Sequence, residues 1–420
     1  MMKNIKIAEL IAAEEERQKN ALELIPSENY ASEDVREASG SIFTNKYSEG
    51  YPGRRYYGGQ ENTDKVEILA IELAKKLYRA DHANVQPHSG AQANQAVYWA
   101  WCNPGDTILA MDYSHGGHLT HGHSATALAK TFNFVQYGVK DLESGEIDFD
   151  ELRQLAIKFK PKIILAGFSS YTKTLEWEKF VTIGNEVGAM LMADVSHIAG
   201  LIAGGVLENP LDSGFHVLTT TTHKTLRGPR GGLILSKGKV GNPIKKISQE
   251  LGNLPTLIDK SVFPGIQGGP QMQTIAAKAV AFEEALQPEF KTYAQQILDN
   301  AKKLAEELQK LKFKLVFGGT ENHMILIDVV DSFEISGSEA QKMLEEVGIT
   351  TNKNIIPNDK SGAFNPSGLR IGVPAITTIG AKVEDMIVLA ELLLRGLTYS
   401  SELEKLKLRE DVLEFRKNLT

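Results

Sequence analysis

The chain has one cysteine, Cys102, in 420 residues. A single thiol cannot form an intrachain disulfide or a cysteine-rich zinc site, and a reducing compartment fits this usage. No apolar run approaches the roughly 20 residues that a membrane-spanning helix needs. Positive charge is not in excess either. The 46 Lys and Arg stand against 53 Asp and Glu, a net charge of −7. Composition therefore gives no electrostatic footprint for nucleic acid or an anionic membrane. The segment from Met1 to Asn20 carries acids at Glu9 and Glu14 to Glu16, unlike a secretory signal or an Arg-rich transit peptide, so a cytoplasmic location is expected. Internal repeats and low-complexity linkers are also missing. What is present is 42% hydrophobic residues, enough apolar material for two or three domains with full cores.

Apolar runs at Thr107 to Met111, Lys162 to Phe168, Ala189 to Asp194, His216 to Thr222 and Gly231 to Leu235 read as strands of one large sheet. Helical patterns lie between them, as in Glu176 to Val187, which implies that much of the sheet is parallel. Before the sheet come an amphipathic helix near Ile5 to Arg17, an irregular Gly/Tyr-rich stretch from Thr44 to Gly59, and helices from Asp64 to Tyr78 and from Ser89 to Trp101. Past Pro270 the texture changes. A helix from Gln271 to Leu286 is ended or kinked by Pro288. A smaller α+β domain follows, with strands at Lys314 to Phe317 and Met324 to Val330 and a helix opened by the capping pair Ser336 and Glu339.

Lys224 follows the β-branched run Val217 to Thr222 and opens a Gly/Pro turn that includes Gly228 to Gly232. A lysine at the end of a core strand is held near apolar walls. Desolvation there lowers its pKa and makes the amine nucleophilic, as a Schiff-base lysine requires. Upstream, the strand pattern of Gly188 to Ala193 runs into Asp194, with His197 just beyond. A carboxylate at such a strand end faces the crevice where α/β sheets bind ligands. It needs a cationic partner, and a protonated pyridine nitrogen would serve. Lysine, Asp and a positioning His together make a pyridoxal phosphate site; the bland alternatives are a surface lysine and hydrogen-bonded core polar groups.

Four further groupings bear on chemistry. Ser89 and Gly90 open a helix whose free N–H groups suit a phosphate, although taken alone the segment reads better as a plain capped helix. Gln267-Gly268-Gly269-Pro270 is a second such cradle, with Pro270 expected at the first helical position. His115, His118, His121 and His123 crowd a glycine loop; without nearby Cys, an imidazole stacked on a cofactor ring or loop-bracing histidines fit better than a metal. Arg54-Arg55-Tyr56-Tyr57 mixes bases with aromatics, as single-strand nucleic-acid binders do, or offers a proton network with Glu49. Arg370, alone in the strand pattern Ser367 to Gly372, wants a carboxylate, from the protein or from a substrate.

Taken together, Leu24-Ile25-Pro26-Ser27-Glu28-Asn29, the stretch Asn45 to Gly59, the His-Gly-Gly-His loop and Thr219-Thr220-Thr221-Thr222-His223-Lys224 resemble the serine hydroxymethyltransferase family. The similarity runs from about Glu14 to Leu394. It implies an α/β fold of the fold-type I pyridoxal-phosphate transferases, like aspartate aminotransferase, with a mixed, mostly parallel central sheet and a smaller α+β C-terminal domain. The domains expected are an N-terminal arm over 1–75, a cofactor domain over 76–275 and a C-terminal domain over 276–420. It further implies a homodimer, or a dimer of dimers, with shared active sites, and no nucleic-acid or membrane partner.

The same resemblance assigns roles. Lys224 carries the cofactor, Asp194 pairs with its ring nitrogen, and His118 stacks on the ring. Ser169 and His197 match positions near the phenolic oxygen. Ser89, Gly90, Ala91 and His223 match the phosphate cup, with Tyr47 and Gly269 arriving from the partner subunit, and Thr221 matches a cofactor-binding position. Ser27 and Arg370 match the substrate carboxylate site, Glu49 and Tyr57 the acid-base pair, and Tyr56, Leu119 and Asn354 the folate pocket. No metal is implied. Departures from the family pattern are Ala91 for a frequent Ser, Ser170 for Ala, His216 for Asp, Val373 for Thr and Ile379 for Arg; none removes a matched group. The expected activity is the interconversion of serine and glycine, with the hydroxymethyl carbon passing to tetrahydrofolate. The alternatives are a folate-independent β-hydroxy amino acid aldolase and a catalytically idle RNA-binding or regulatory relative.

Overall fold

The structure is a computed structural model and describes residues 4–237, 254–362 and 364–419. The chain divides into two compact units, one of Tyr30–Gln295 and one of Met1–Asn29 with Gln296–Thr420.

The larger unit is built on a seven-stranded sheet. In spatial order its strands are His82–Asn84, Gly232–Ser236, Val217–Thr221, Met190–Asp194, Ile163–Gly167, Thr107–Met111 and Asn133–Tyr137. The five strands from Val217–Thr221 onward pair in parallel, and Gly232–Ser236 runs antiparallel to both of its neighbours. Every residue of Ile163–Gly167, Met190–Asp194, Val217–Thr221 and Gly232–Ser236 is buried. Helices cover both faces of such a sheet, which is why these strands are legible as unbroken apolar runs. Two strands escaped that reading. Asn133–Tyr137 mixes polar with apolar residues at the sheet edge, and His82–Asn84 is only three residues long.

Between Ile163–Gly167 and Met190–Asp194 runs the helix Trp177–Val187, stopped by Gly188 in the left-handed conformation. That is the expected β-α-β unit, and it delivers Asp194 to the C-terminal edge of the sheet. One proline reading holds and one is corrected. The helix Met272–Ala285 stops at its C-cap Leu286, two residues before Pro288, and Pro288 itself begins Pro288–Lys310, where its missing N–H costs nothing. Pro270 stands outside its helix, which starts at Met272 because Gln271 takes the extended cap conformation.

The smaller unit holds a four-stranded antiparallel sheet in the order Lys314–Leu315, Met324–Asp328, Gly368–Gly372, Asn352–Asn354. Leu22–Glu23 pairs in parallel with Ile349–Thr350, so the start of the chain belongs to this unit. The helix Gly337–Glu346 is capped by Ser336, whose Oγ accepts from the Glu339 amide at 3.2 Å. The change of sequence texture past Pro270 does not coincide with the passage between units. Met272–Ala285 lies within the larger unit, and the passage comes inside the helix Pro288–Lys310. No described helix is long and apolar enough to cross a membrane.

Candidate active site

Asp194 ends its strand at the edge of the sheet where parallel α/β folds gather ligands. It is 6% exposed, and four donors converge on it. Oδ2 accepts from Asn94 Nδ2 at 2.7 Å and from His121 Nε2 at 3.1 Å; Oδ1 accepts from the Ser196 amide at 3.1 Å and the Ser196 hydroxyl at 2.6 Å. Burial alone would raise its pKa. The hydrogen bond and charge of His121, helped by His118 and the Asn94 amide, outweigh burial and hold the carboxyl far below the usual range. The site thus keeps a desolvated, ionised carboxylate ready for a cation.

Asn94 is itself fixed. Its Oδ1 accepts from Thr219 Oγ1 at 2.6 Å, and its Nδ2 also reaches Thr120 Oγ1 at 2.9 Å. Thr120 Oγ1 in turn lies 2.8 Å from His118 Nδ1, so one amide joins the Asp194 carboxylate to the His118 ring. The four-histidine loop is explained by the same bookkeeping of backbone groups. Each ring accepts a main-chain amide at Nδ1: His115 from Val139 at 2.9 Å, His118 from Thr120 at 3.2 Å, His121 from His118 at 3.1 Å and His123 from Ala125 at 3.3 Å. An accepting Nδ1 puts the proton of a neutral ring on Nε2, which for His121 then points at Asp194. His118, His121 and Asp194 lie close enough to group around an ion. Hydrogen bonds already account for the ring nitrogens facing Thr120, the His118 amide and Asp194.

Ser89 caps the helix Gly90–Trp101, its Oγ accepting from Gln92 N at 3.2 Å. A Cβ on Gly90 would stand 2.7 Å from Thr221 Cγ2, so only glycine lets this helix start meet the strand end. Ala91 is exposed in the first turn. His223 and Lys224 are half-buried just beyond the strand Val217–Thr221. Burial, joined by the charges of Arg230, Lys224 and Lys278, pushes His223 down to about 3, and its Nδ1 is buried with no hydrogen-bond partner. Nearby, Thr225 Oγ1 donates to the carbonyl of buried His197 at 2.9 Å. The Ser169 amide donates to Gly116 O at 2.6 Å, tying it to the histidine loop.

A second cluster in the same unit comes from other segments. Tyr47 Oη donates to Glu49 Oε1 at 3.3 Å, and the rings of Tyr47 and Tyr57 meet edge to face at 5.1 Å. A Cβ on Gly268 would lie 3.2 Å from Glu49 Oε1, and one on Gly269 would lie 3.3 Å from the Tyr47 ring. Tyr56 stands edge-on to Phe263 at 5.7 Å. Arg55 turns inward, ion-paired with buried Glu67 at 2.5 Å and with Asp64 at 2.8 Å. That removes one base from the Arg/Tyr cluster that motivated a nucleic-acid reading. Leu119, on the histidine loop, is 43% exposed.

In the smaller unit Arg370 is buried mid-strand, its Nε donating to Asn352 Oδ1 at 3.2 Å. Two residues on, the Gly372 amide donates to Leu24 O at 2.8 Å, and a Cβ there would meet Pro26 at 2.8 Å. The strand of Arg370 is thereby packed against the segment that ends in Ser27. Asn354 pairs with Gly368 at the other end of that strand. Val373 is fully buried core, and Ile379 is half-buried at the end of the short helix Pro374–Thr378.

The family model described as serine hydroxymethyltransferase matches residues 1–393. Curated serine hydroxymethyltransferases of Xanthomonas campestris pv. campestris (strain B100) and Xanthomonas axonopodis pv. citri (strain 306) are each 54% identical over 384 residues. For the first of these the aligned part is 91% of this chain and 88% of the relative. The chain belongs to the serine hydroxymethyltransferase family. Members of this family depend on pyridoxal phosphate and use tetrahydrofolate as cosubstrate.

The residues present fit that cofactor. Asp194 offers an ionised, buried carboxylate to a basic ring nitrogen. The helix start at Gly90, pressed against Thr221, and the unpartnered Nδ1 of His223 suit a phosphate. Lys224 offers an amine to an aldehyde. Reading the sequence left Asn94, Thr120, His121 and Ser196 without roles. The signal for His121 was present in the four-histidine run. Asn94 had one too, as an amide within the first turns of a cradle helix and on the face that meets the sheet.

Proposed function

We infer that this chain catalyses its family's reaction, the reversible interconversion of serine and glycine, with the hydroxymethyl carbon passing to tetrahydrofolate to give 5,10-methylenetetrahydrofolate. The observation that carries this reading is 54% identity over 91% of the chain to a curated serine hydroxymethyltransferase. When bound, pyridoxal phosphate supplies an electron-accepting ring for the pair left on the substrate α-carbon.

The protein does the rest. Lys224 would supply the amine that holds the cofactor. Asp194, kept ionised by the groups bonded to it, would pair with the ring nitrogen, and His118 would help to hold the ring. Ser89, Gly90, Ala91, Thr221 and His223 receive the phosphate, with Ser169 and His197 at the phenolic side. Arg370 and Ser27 would take the substrate carboxylate, and a guanidinium suits a bidentate grip that fixes the substrate's orientation. Glu49 and Tyr57 handle protons at the hydroxymethyl group, while Tyr56, Leu119 and Asn354 line the folate pocket. The site is completed in a homodimer, where Tyr47, Glu49, Tyr57 and Gly269 serve the partner's cofactor. Exposure of Tyr47, Tyr56 and Tyr57 at 55%, 74% and 47% supports a surface awaiting a second copy. The proposed location is the cytoplasm.

The test is the transfer of the serine hydroxymethyl carbon to tetrahydrofolate, with Glu49→Gln as the informative variant. The wild type should need folate to turn over serine. The variant should lose that transfer, yet keep the spectral response to glycine and the folate-independent cleavage of bulkier β-hydroxy amino acids. A wild type indifferent to folate would instead be an aldolase.

A further inference from the structure

Lys278 lies in the middle of the helix Met272–Ala285 and is 1% exposed. Its ammonium donates to three main-chain oxygens, Val85 O at 2.7 Å, Pro87 O at 3.1 Å and Gly232 O at 2.7 Å, and forms no ion pair among the described residues. A buried cation satisfied only by carbonyl groups keeps its full charge uncompensated, which is costly in a dry interior. The nearest acid acting on it is Glu67, already committed to Arg55 at 2.5 Å and Gln86 at 2.7 Å.

What surrounds Lys278 is the floor of the phosphate cup. Val85 to Pro87 lead directly into His88, Ser89 and Gly90. Pro87 O also accepts from the Gly232 amide at 3.0 Å, and a Cβ on Gly232 would lie 2.3 Å from Ser89 O. A Cβ on Gly231 would lie 2.5 Å from Lys278 Cε. The charge of Lys278 acts on His88, next to the helix start, and on His223, just beyond the strand Val217–Thr221. His88 Nε2 and His223 Nδ1 are both buried without a hydrogen-bond partner. A buried cation with no ion pair among the described residues, set beneath one helix start, describes a place for an anion.

We propose that Lys278 is the internal cation of the cofactor's phosphate cradle, a positioning residue that pins the Val85–Pro87 approach against Gly232 and lends its charge to a dianion from beneath. This rests on the pyridoxal phosphate reading above. A titration follows from the geometry. Burial lowers the Lys278 ammonium to about 7, against the opposing charge of Glu67. A dianion in the cup stabilises the protonated form, so anion affinity is full below that value and falls as pH rises through it. The other groups facing Lys278 and the cup are His88 and His223, both shifted down, with Arg230 and Lys224.

The experiment measures sulfate binding by calorimetry to the full-length, cofactor-free chain carrying Lys224→Ala, which removes the neighbouring amine and keeps the cup. Sulfate is a dianion throughout the range, so any pH dependence belongs to the protein. Between pH 6.5 and 8.5 its affinity should fall by about tenfold or more, with proton uptake on binding. Adding Lys278→Gln should weaken sulfate by about tenfold at pH 6.5 and flatten the profile. In the Lys224-containing protein, Lys278→Gln should weaken pyridoxal phosphate and leave unphosphorylated pyridoxal unchanged. Unchanged sulfate affinity in Lys278→Gln, or equal losses for pyridoxal and its phosphate, would overturn the role of Lys278 alone. A wild type that binds neither form would overturn the cofactor reading beneath it. Should the variant not fold, the proton uptake of the Lys224→Ala protein decides; its absence at pH 8 sinks the proposal.

Discussion

The Asp194 centre and the Tyr47 to Gly59 segment belong to the same unit and are built in opposite ways. Around Asp194 every described partner is buried and already bonded, from Thr219 through Asn94 to the carboxylate, and from the His118 amide through His121 to the same atoms. The Tyr47 segment is anchored from below by the buried Arg55–Glu67 pair and presents its tyrosines to the outside. A preorganised network spends its conformational entropy at folding, so the cofactor meets groups that need not move. An exposed aromatic tip has no such network and depends on what packs against it. In the proposed homodimer one chain would carry a finished half-site and an unfinished one, and two copies would exchange their tips.

The largest expected effect strikes the finished half. Lys224→Ala should abolish normal turnover while preserving the fold, since Lys224 is only half-buried and lies just beyond the end of the strand Val217–Thr221. Borohydride reduction of the wild type followed by peptide mapping should fix the cofactor on Lys224. Label on a different lysine would remove Lys224 from the centre of the comparison.

Next in size is Asp194→Asn. Losing the ionic partner of a buried cation typically costs about 3–5 kcal/mol, so turnover should fall by about two to four orders of magnitude. The amide can still accept one bond, and the network should survive well enough for the protein to fold. Near-normal turnover would mean that the carboxylate is only a structural hub for Asn94, His121 and Ser196.

The unfinished half is tested by mixing. Lys224→Ala and Glu49→Gln proteins, each inactive in folate-dependent transfer, should regain activity when their subunits are exchanged. A hybrid dimer has one site free of both changes, so random exchange should restore about a quarter of wild-type specific activity. No recovery, with subunit exchange demonstrated by mass, would place Glu49 in the site of its own chain.

The finished half was the more legible in the sequence, for a physical reason. Buried parallel strands must be apolar throughout, so Met190–Asp194 and Val217–Thr221 declare themselves, and the polar residues at their ends stand out. The partners of those residues do not. Asn94 reaches Asp194 across a hundred residues of chain, and an amide in a helix looks like any surface amide until the sheet is placed beside it. Lys278 was equally hidden, although a single lysine amid Ile275 to Phe282 was a usable sign, because no solvated helix face is that apolar. The two-residue strands of the Gly50 to Arg55 hairpin are too short for any periodicity to register.

The smallest effect belongs at the opposite end of the same strands, where a polar group serves stability alone. His216 enters the strand Val217–Thr221, and its Nδ1 accepts the Leu191 amide at 3.0 Å. His216→Ala should cost about 1–3 kcal/mol by leaving that amide buried and unpaired, whereas His216→Asn keeps an acceptor and should cost less. Burial lowers the His216 pKa, so the folded protein binds fewer protons here than the unfolded chain. The stabilising contribution is therefore present above the unfolded value of about 6.5 and is lost as pH falls from there toward the depressed folded value. Urea unfolding should show the wild type losing more stability between pH 8 and pH 5.5 than His216→Asn, with the cofactor spectrum of the two indistinguishable at pH 8. Equal pH slopes would deny His216 its titration, and an altered spectrum would show that the scaffold end of these strands is not independent of the Asp194 end.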